Sequence, residues 1–163
     1  MTRLPRSTLL LAILACLPAG VACAADACDV LTAQVIRATG ASLAGRTGPI
    51  AVFRAQDAER MSLDCRAPAR LTVASLDREP TPAYFILMGR AAQALAGADA
   101  VSAEGLALNL HQSSLLTQAP RRGGTGPVVM LCETGPRTGS LRDDLTVCRV
   151  ARRPGLSRIR RAG

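Results

Sequence analysis

His111 is the only histidine in the 163-residue chain, so any imidazole acting as general acid or base must be this one. Ser113 and Ser114 follow it closely, and the carboxylates Asp99 and Glu104 precede it. These are residue types from which a small hydrolase with His111 as base could be assembled. Against that, no Gly-x-Ser-x-Gly elbow presents a serine. A histidine on the polar face of a strand is read as solvated, with no catalytic task.

Cysteine is the other reactive type. Cys16 and Cys23 fall within an expected export signal, which leaves Cys28, Cys65, Cys132 and Cys148. Four cysteines in an exported chain imply two disulfides, with three possible connectivities. None has Cys-x-x-Cys spacing, and one histidine cannot complete a zinc site of the usual pattern, so no metal is expected. The expected pairing is Cys28–Cys65 with Cys132–Cys148. The argument for the second bond is register: it sets Met130 opposite Val150 on one apolar face of a hairpin.

Three further patterns have ordinary explanations. Gly40-Ala41-Ser42-Leu43-Ala44-Gly45-Arg46-Thr47 has the glycine spacing of a phosphate loop but carries Arg for Lys. It also follows a helix, where such a loop must follow a strand, and is read as a helix-ending loop. Asp143 and Asp144 lack the alternating acidic ligands of a calcium loop. Arg121 and Arg122, beside Gly123 and Gly124, are candidates to hold an anion, or else form a solvated hairpin tip.

The absence of lysine removes Schiff-base chemistry, phosphate-loop lysines and Ser-x-x-Lys acylation. One Tyr, two Phe and no Trp argue against sugar platforms and single-stranded nucleic-acid stacking, and no specific nucleic-acid partner is expected. The net charge of +8 is unevenly placed. Residues 25–151 hold 13 arginines against 12 acids, a net of +1, whereas 152–163 hold Arg152, Arg153, Arg158, Arg160 and Arg161 with no acid. Those five arginines are anion-binding candidates on a basic tail expected to be disordered.

At the start, Arg3 and Arg6 precede the apolar run Leu9 to Leu17, which Pro18 and Gly20 interrupt. Ala22-Cys23-Ala24 then offers small residues for cleavage before Ala25. Removal of the first 24 of 163 residues leaves 139, enough for one domain with a sizeable core. The run is shorter than the ~20 residues a spanning helix needs, and no later segment qualifies as a transmembrane span. Gly20-Val21-Ala22-Cys23 offers a lipid-anchored alternative, but Gly20 stands where such signals carry an aliphatic residue.

The elements that must position these residues are expected as follows. A short helix capped by Thr32 buries Val35, Ile36 and Ala38 and ends at Gly40. A loop covers 41–48. Strands follow at 49–53, 61–65 and 70–76. Thr81-Pro82 opens a helix to Ala96, stopped by Gly97, with little polar surface and Gly89 at a close contact. Alternating Leu106, Leu108 and Leu110 read as a strand, 114–118 as its neighbour and 120–126 as a flexible turn. Segments 128–133 and 145–150 form a hairpin.

The stretch Cys28-x-x-Leu31-Thr32-x-x-x-Ile36-x-x-x-Gly40, followed by Cys65 in a strand, resembles a group of small exported or lipid-anchored bacterial domains of unknown function. Those domains open with a Cys-x-Leu-Leu-Thr helix joined to a strand cysteine. The resemblance implies an α+β domain with one sheet and packed helices, and transfers no catalytic residue. Arg66 stands where an aromatic would follow the second cysteine.

The expectation is therefore a single α+β domain over 25–151, mainly an antiparallel sheet with a short N-terminal helix and one buried central helix. Its expected role is non-enzymatic, cofactor-free binding of an envelope protein or anionic surface, in the periplasm or outside the cell. A hydrolase using His111 and a cationic surface binder acting through the tail are the alternatives.

Overall fold

Apolar residues alternating with polar ones build most of the sheet, and uninterrupted helix formers build the layer that covers it. The structure is a computed structural model and describes residues 26–135 and 145–154. The expected export signal, Asp143, Asp144, Arg158, Arg160 and Arg161 lie outside the described residues.

The elements run α1 (Ala27–Thr39), β1 (Ser42–Thr47), β2 (Ile50–Ala55), β3 (Ala58–Asp64), β4 (Arg70–Ser75), α2 (Pro82–Ala96), α3 (Ala100–Thr117), β5 (Arg121–Thr125), β6 (Val128–Thr134) and β7 (Thr146–Arg152). The strands form one seven-stranded sheet in the order β1-β2-β3-β4-β7-β6-β5. Every neighbouring pair is antiparallel. This is the expected α+β architecture. The first four strands make a meander, the chain crosses through α2 and α3 to the far edge, and β5, β6 and β7 then pair in sequence order, which sets β7 beside β4.

The strand period of two divides the side chains between two faces. Leu63, Leu71, Val150 and Met130 follow one another across four strands, all at 1 % exposure or less, and form the floor of the core. Helix α2 lies over β4 and β7, and α3 over β5 and β6. Eight of the 15 residues of α2 are buried, as its shortage of polar side chains requires. A Cβ on Gly89 would strike the carbonyl oxygen of Ala100, so the expected close contact is where α2 meets α3.

Both disulfides, Cys28–Cys65 and Cys132–Cys148, are present. The first ties α1 to the end of β3. The second joins directly opposed residues of β6 and β7, and Met130 faces Val150 in that same register.

Four expectations are corrected. The segment read as strands around 106–111 and 114–118 is α3, capped by Asp99, whose side chain accepts from the Ser102 N–H at 2.8 Å. Its buried stripe is Ala103, Ala107, Leu110, His111 and Ser114, at three- and four-residue spacing. The layer thus holds a second long helix beside the central one. The loop at 41–48 is edge strand β1, and the turn at 120–126 is edge strand β5. Thr32 does not cap α1. Asp26 does, accepting from the Asp29 N–H at 2.8 Å, and Thr32 is buried mid-helix with its hydroxyl unpartnered among the described residues. Arg46 on β1 reaches Asp26 at 2.8 Å and also Asp29, which anchors the start of α1 to the sheet edge. Gly40 does end the helix, at φ 73°.

Candidate functional site

His111 sits on the inner side of α3, where helical spacing aims it at the sheet, and it is 3 % exposed. The expectation of a solvated strand histidine is therefore wrong in both element and exposure. Ser114 Oγ is 2.8 Å from the carbonyl oxygen of His111 and 2.6 Å from Thr134 Oγ1. Thr134 Oγ1 is in turn 3.2 Å from His111 Nδ1. One proton arrangement uses all three contacts: Ser114 donates to the carbonyl, Thr134 donates to Ser114, and Nδ1–H donates to Thr134. The imidazole then donates towards the hydroxyls, whereas a general base must accept from its nucleophile. Burial pushes its pKa down, Glu79 pulls it up and Arg78 lowers it again. Phe85 covers the ring at 5.3 Å between centroids.

Asp99 and Glu104 do not join this cluster. The carboxyl of Asp99 is spent on the α3 cap, and its hydrogen bond from Ser102 holds its pKa below the usual range. Ser113 accepts from the Thr117 hydroxyl through its backbone at 2.7 Å, one turn along the helix. With Ser114 fully buried, the group is a sealed polar contact between α3 and β6. Among the described residues no group of three or more His, Cys, Asp or Glu is placed to hold a metal ion.

The second candidate is the sheet face that no helix covers. Across it run Thr72, Arg149, Leu131 and Arg122 in one row, and Arg70, Ala151, Val129 and Gly124 in the next. Strand spacing is about 4.8 Å, so Arg149 on β7 and Arg122 on β5 stand about 10 Å apart across β6. Between them Val129, Leu131 and Ala151 floor a shallow trough of about 330 Å³, whose lining also includes Pro68 and Pro154.

Gly124 explains a fourth arginine. Its missing side chain is replaced by the guanidinium of Arg153, which lies where a Cβ would project. The backbone N–H of Arg153 donates to Pro127 O at 2.8 Å, which fixes the residue beside β5. Two arginine pairs therefore flank the apolar strip, Arg70 with Arg149 and Arg122 with Arg153. Arg149 is neutralised by Glu133 at 2.8 Å and Arg70 stands opposite Asp64, whose carboxyl its charge helps to hold down, whereas Arg122 and Arg153 form no ion pair among the described residues.

This redistributes the arginines singled out from sequence. Arg121 and Arg122 belong to a strand, so they point to opposite faces and cannot close on one anion. Arg121 donates to Thr117 Oγ1 at 2.9 Å on the helix side. Arg152 ends β7, whereas the sequence reading starts the tail at this residue. Its guanidinium donates to Leu95 O at 3.0 Å and so serves the last turn of α2, which has no basic residue of its own. Sequence reasoning missed Arg70 and Arg149. Their signal was an arginine at an outward position of an otherwise apolar strand, which becomes informative only once β4 and β7 are known to be neighbours.

No helix among the described residues is long and apolar enough to cross a membrane. No protein-family model, curated protein or solved structure matches this chain.

Proposed function

We propose that this chain is an exported, non-enzymatic module that binds an envelope component on the open face of its sheet. The observation that carries the reading is the apolar strip of β6 set between two arginine pairs on the uncovered face. Sheets of this kind commonly leave one face to water, and that face is then polar. Here it keeps half-buried Val129 and Leu131 at its centre and, at the rim, Arg122 and Arg153, which have no carboxylate partner among the described residues. Localisation in the periplasm or outside the cell is supported by the two disulfides, which persist in oxidising compartments. The hydrolase reading is weakened because His111 and Ser114 are closed off from solvent and hydrogen-bonded to each other's surroundings.

The test immobilises the disulfide-bonded protein and passes membrane-fraction extract over it at rising salt. The wild type should retain a discrete component and release it as salt screens the arginines. Arg122→Glu with Arg149→Glu should abolish retention, and truncation after Pro154 should leave it intact. Equal retention by the double variant would overturn the open-face reading. Loss on truncation would transfer the function to the basic tail.

A further inference from the structure

We infer that the trough over Val129, Leu131 and Ala151 is a site for a single-chain anionic amphiphile. The alkyl chain lies on the apolar floor and a phosphate headgroup is held by Arg122 and Arg153, which have no carboxylate partner among the described residues. The inference rests on the open-face reading above and names the ligand class of that face.

Charge argues against two occupants the chain itself could supply. A second copy packed face to face would bring Arg122 and Arg153 to a surface whose carboxylates Glu133 and Asp64 are already engaged by Arg149 and Arg66. The segment beyond Pro154 carries Arg158, Arg160 and Arg161 and no acid, so it is repelled as well. The occupant must bring negative charge, and guanidinium groups take phosphate oxygens through paired hydrogen bonds.

The floor decides among anionic partners. Strands β6 and β7, which carry the floor residues, each have a neighbour on both sides, so their backbone N–H and C=O groups are consumed in the ladders. An extended acidic peptide lying there would desolvate its own backbone groups with nothing to receive them, a cost of about 1–3 kcal/mol for each buried group. An alkyl chain carries no such groups and gains from every methylene it buries. A bilayer presents negative charge too, but Val129 and Leu131 are half-buried below the arginines. A flat surface meets the guanidiniums first and leaves that strip uncovered.

The experiment titrates the intact, oxidised protein with dodecyl phosphate below its micellar concentration, followed by calorimetry. Saturable binding at one site per chain is expected, with inorganic phosphate and dodecanol each at least tenfold weaker. Shortening the chain by two carbons should weaken binding by roughly fivefold to tenfold, the effect of two largely buried methylenes. Arg122→Glu and Leu131→Asp should each lower affinity at least tenfold, while Arg90→Glu on the exposed side of α2 changes nothing. Far-UV circular dichroism confirms that each variant is folded.

Equal affinity for inorganic phosphate would overturn the proposal, as would indifference to Leu131→Asp. Binding to anionic vesicles or to an acidic peptide, with none to dissolved dodecyl phosphate, would also overturn it. If the arginine variants lose envelope retention while dodecyl phosphate does not bind, the ligand class falls and the open face stands. If those variants keep retention, the face itself is wrong.

Discussion

His111 titrates inside a closed contact between helix and sheet, which makes its proton a stability term. Burial places its folded pKa below the ordinary 6.5, so the unfolded chain takes up the proton first as pH falls. Below 6.5 the unfolded state binds more protons than the folded one, and stability declines until the folded pKa is passed. The melting temperature should therefore drop as the protein is acidified from pH 7 to about 5.5, above the range where most carboxylates titrate. His111→Gln should be less stable at neutral pH, since it disturbs the contact to Thr134, but should lack that step. An identical slope in the variant would mean the imidazole titrates freely. Asp64 acts in the same sense but at lower pH: hydrogen bonds from Arg66 hold its carboxyl down to about 2, so its contribution is complete above the ordinary 3.8 and is lost as pH falls towards the folded value. The chemical types were plain from sequence, but their partners were not. Thr134, which engages His111, is 23 positions away on a different element.

At the scale of elements, sequence signals worked where the punctuation was local and failed where one face misled. Thr81-Pro82 and Gly97 bound α2 as expected, Pro82 standing at the first helical turn and Gly97 at φ 70°. The α3 helix was missed because its outer face carries Val101, Leu108 and Leu116, exposed at 75 %, 40 % and 86 %, while its inner face carries His111 and Ser114. That exchange blurs the helical period and leaves Leu106, Leu108 and Leu110 looking like strand alternation. The available clue was Asp99 two residues after the glycine stop, a good cap for a second helix. Edge strands β1 and β5 were missed because Ser, Gly and Arg dominate them. Edges carry little apolar pattern, and charge on them discourages pairing with other chains. The α2–α3 contact sets a competition that magnitudes decide. Gly89→Ala gains roughly 1 kcal/mol of helix propensity. It also drives a methyl into the Ala100 carbonyl, an overpacking cost of about 1–3 kcal/mol. Backbone cannot swing aside as a long side chain can, so net destabilisation is expected in urea titration. A variant more stable than wild type would show that the two helices separate at little cost.

The whole molecule is two blocks of sheet joined at one seam, where β4 pairs with β7 from Arg70–Ala151 to Ser75–Thr146. Each disulfide lies on one side of that seam, and neither crosses it. Cooperativity across the seam must come from the ladder and from α2, which packs over both strands. Tyr84 is placed to report on this. It is the only tyrosine in a chain without tryptophan, is 1 % exposed on α2, and donates its hydroxyl to Val73 O of β4 at 2.8 Å. Its absorbance therefore follows the seam, whereas far-UV circular dichroism follows all three helices and seven strands. The two blocks bury their inner faces under one continuous helix layer, so neither keeps a covered core if the other opens. Urea unfolding of the oxidised protein should give coincident transitions by the two probes, the mark of a two-state domain. Tyr84→Phe should shift both midpoints downward together by about 1–3 kcal/mol, the cost of leaving the buried Val73 carbonyl short of a partner. A tyrosine transition that precedes the loss of helix and strand signal would separate the blocks and make the seam a weak joint.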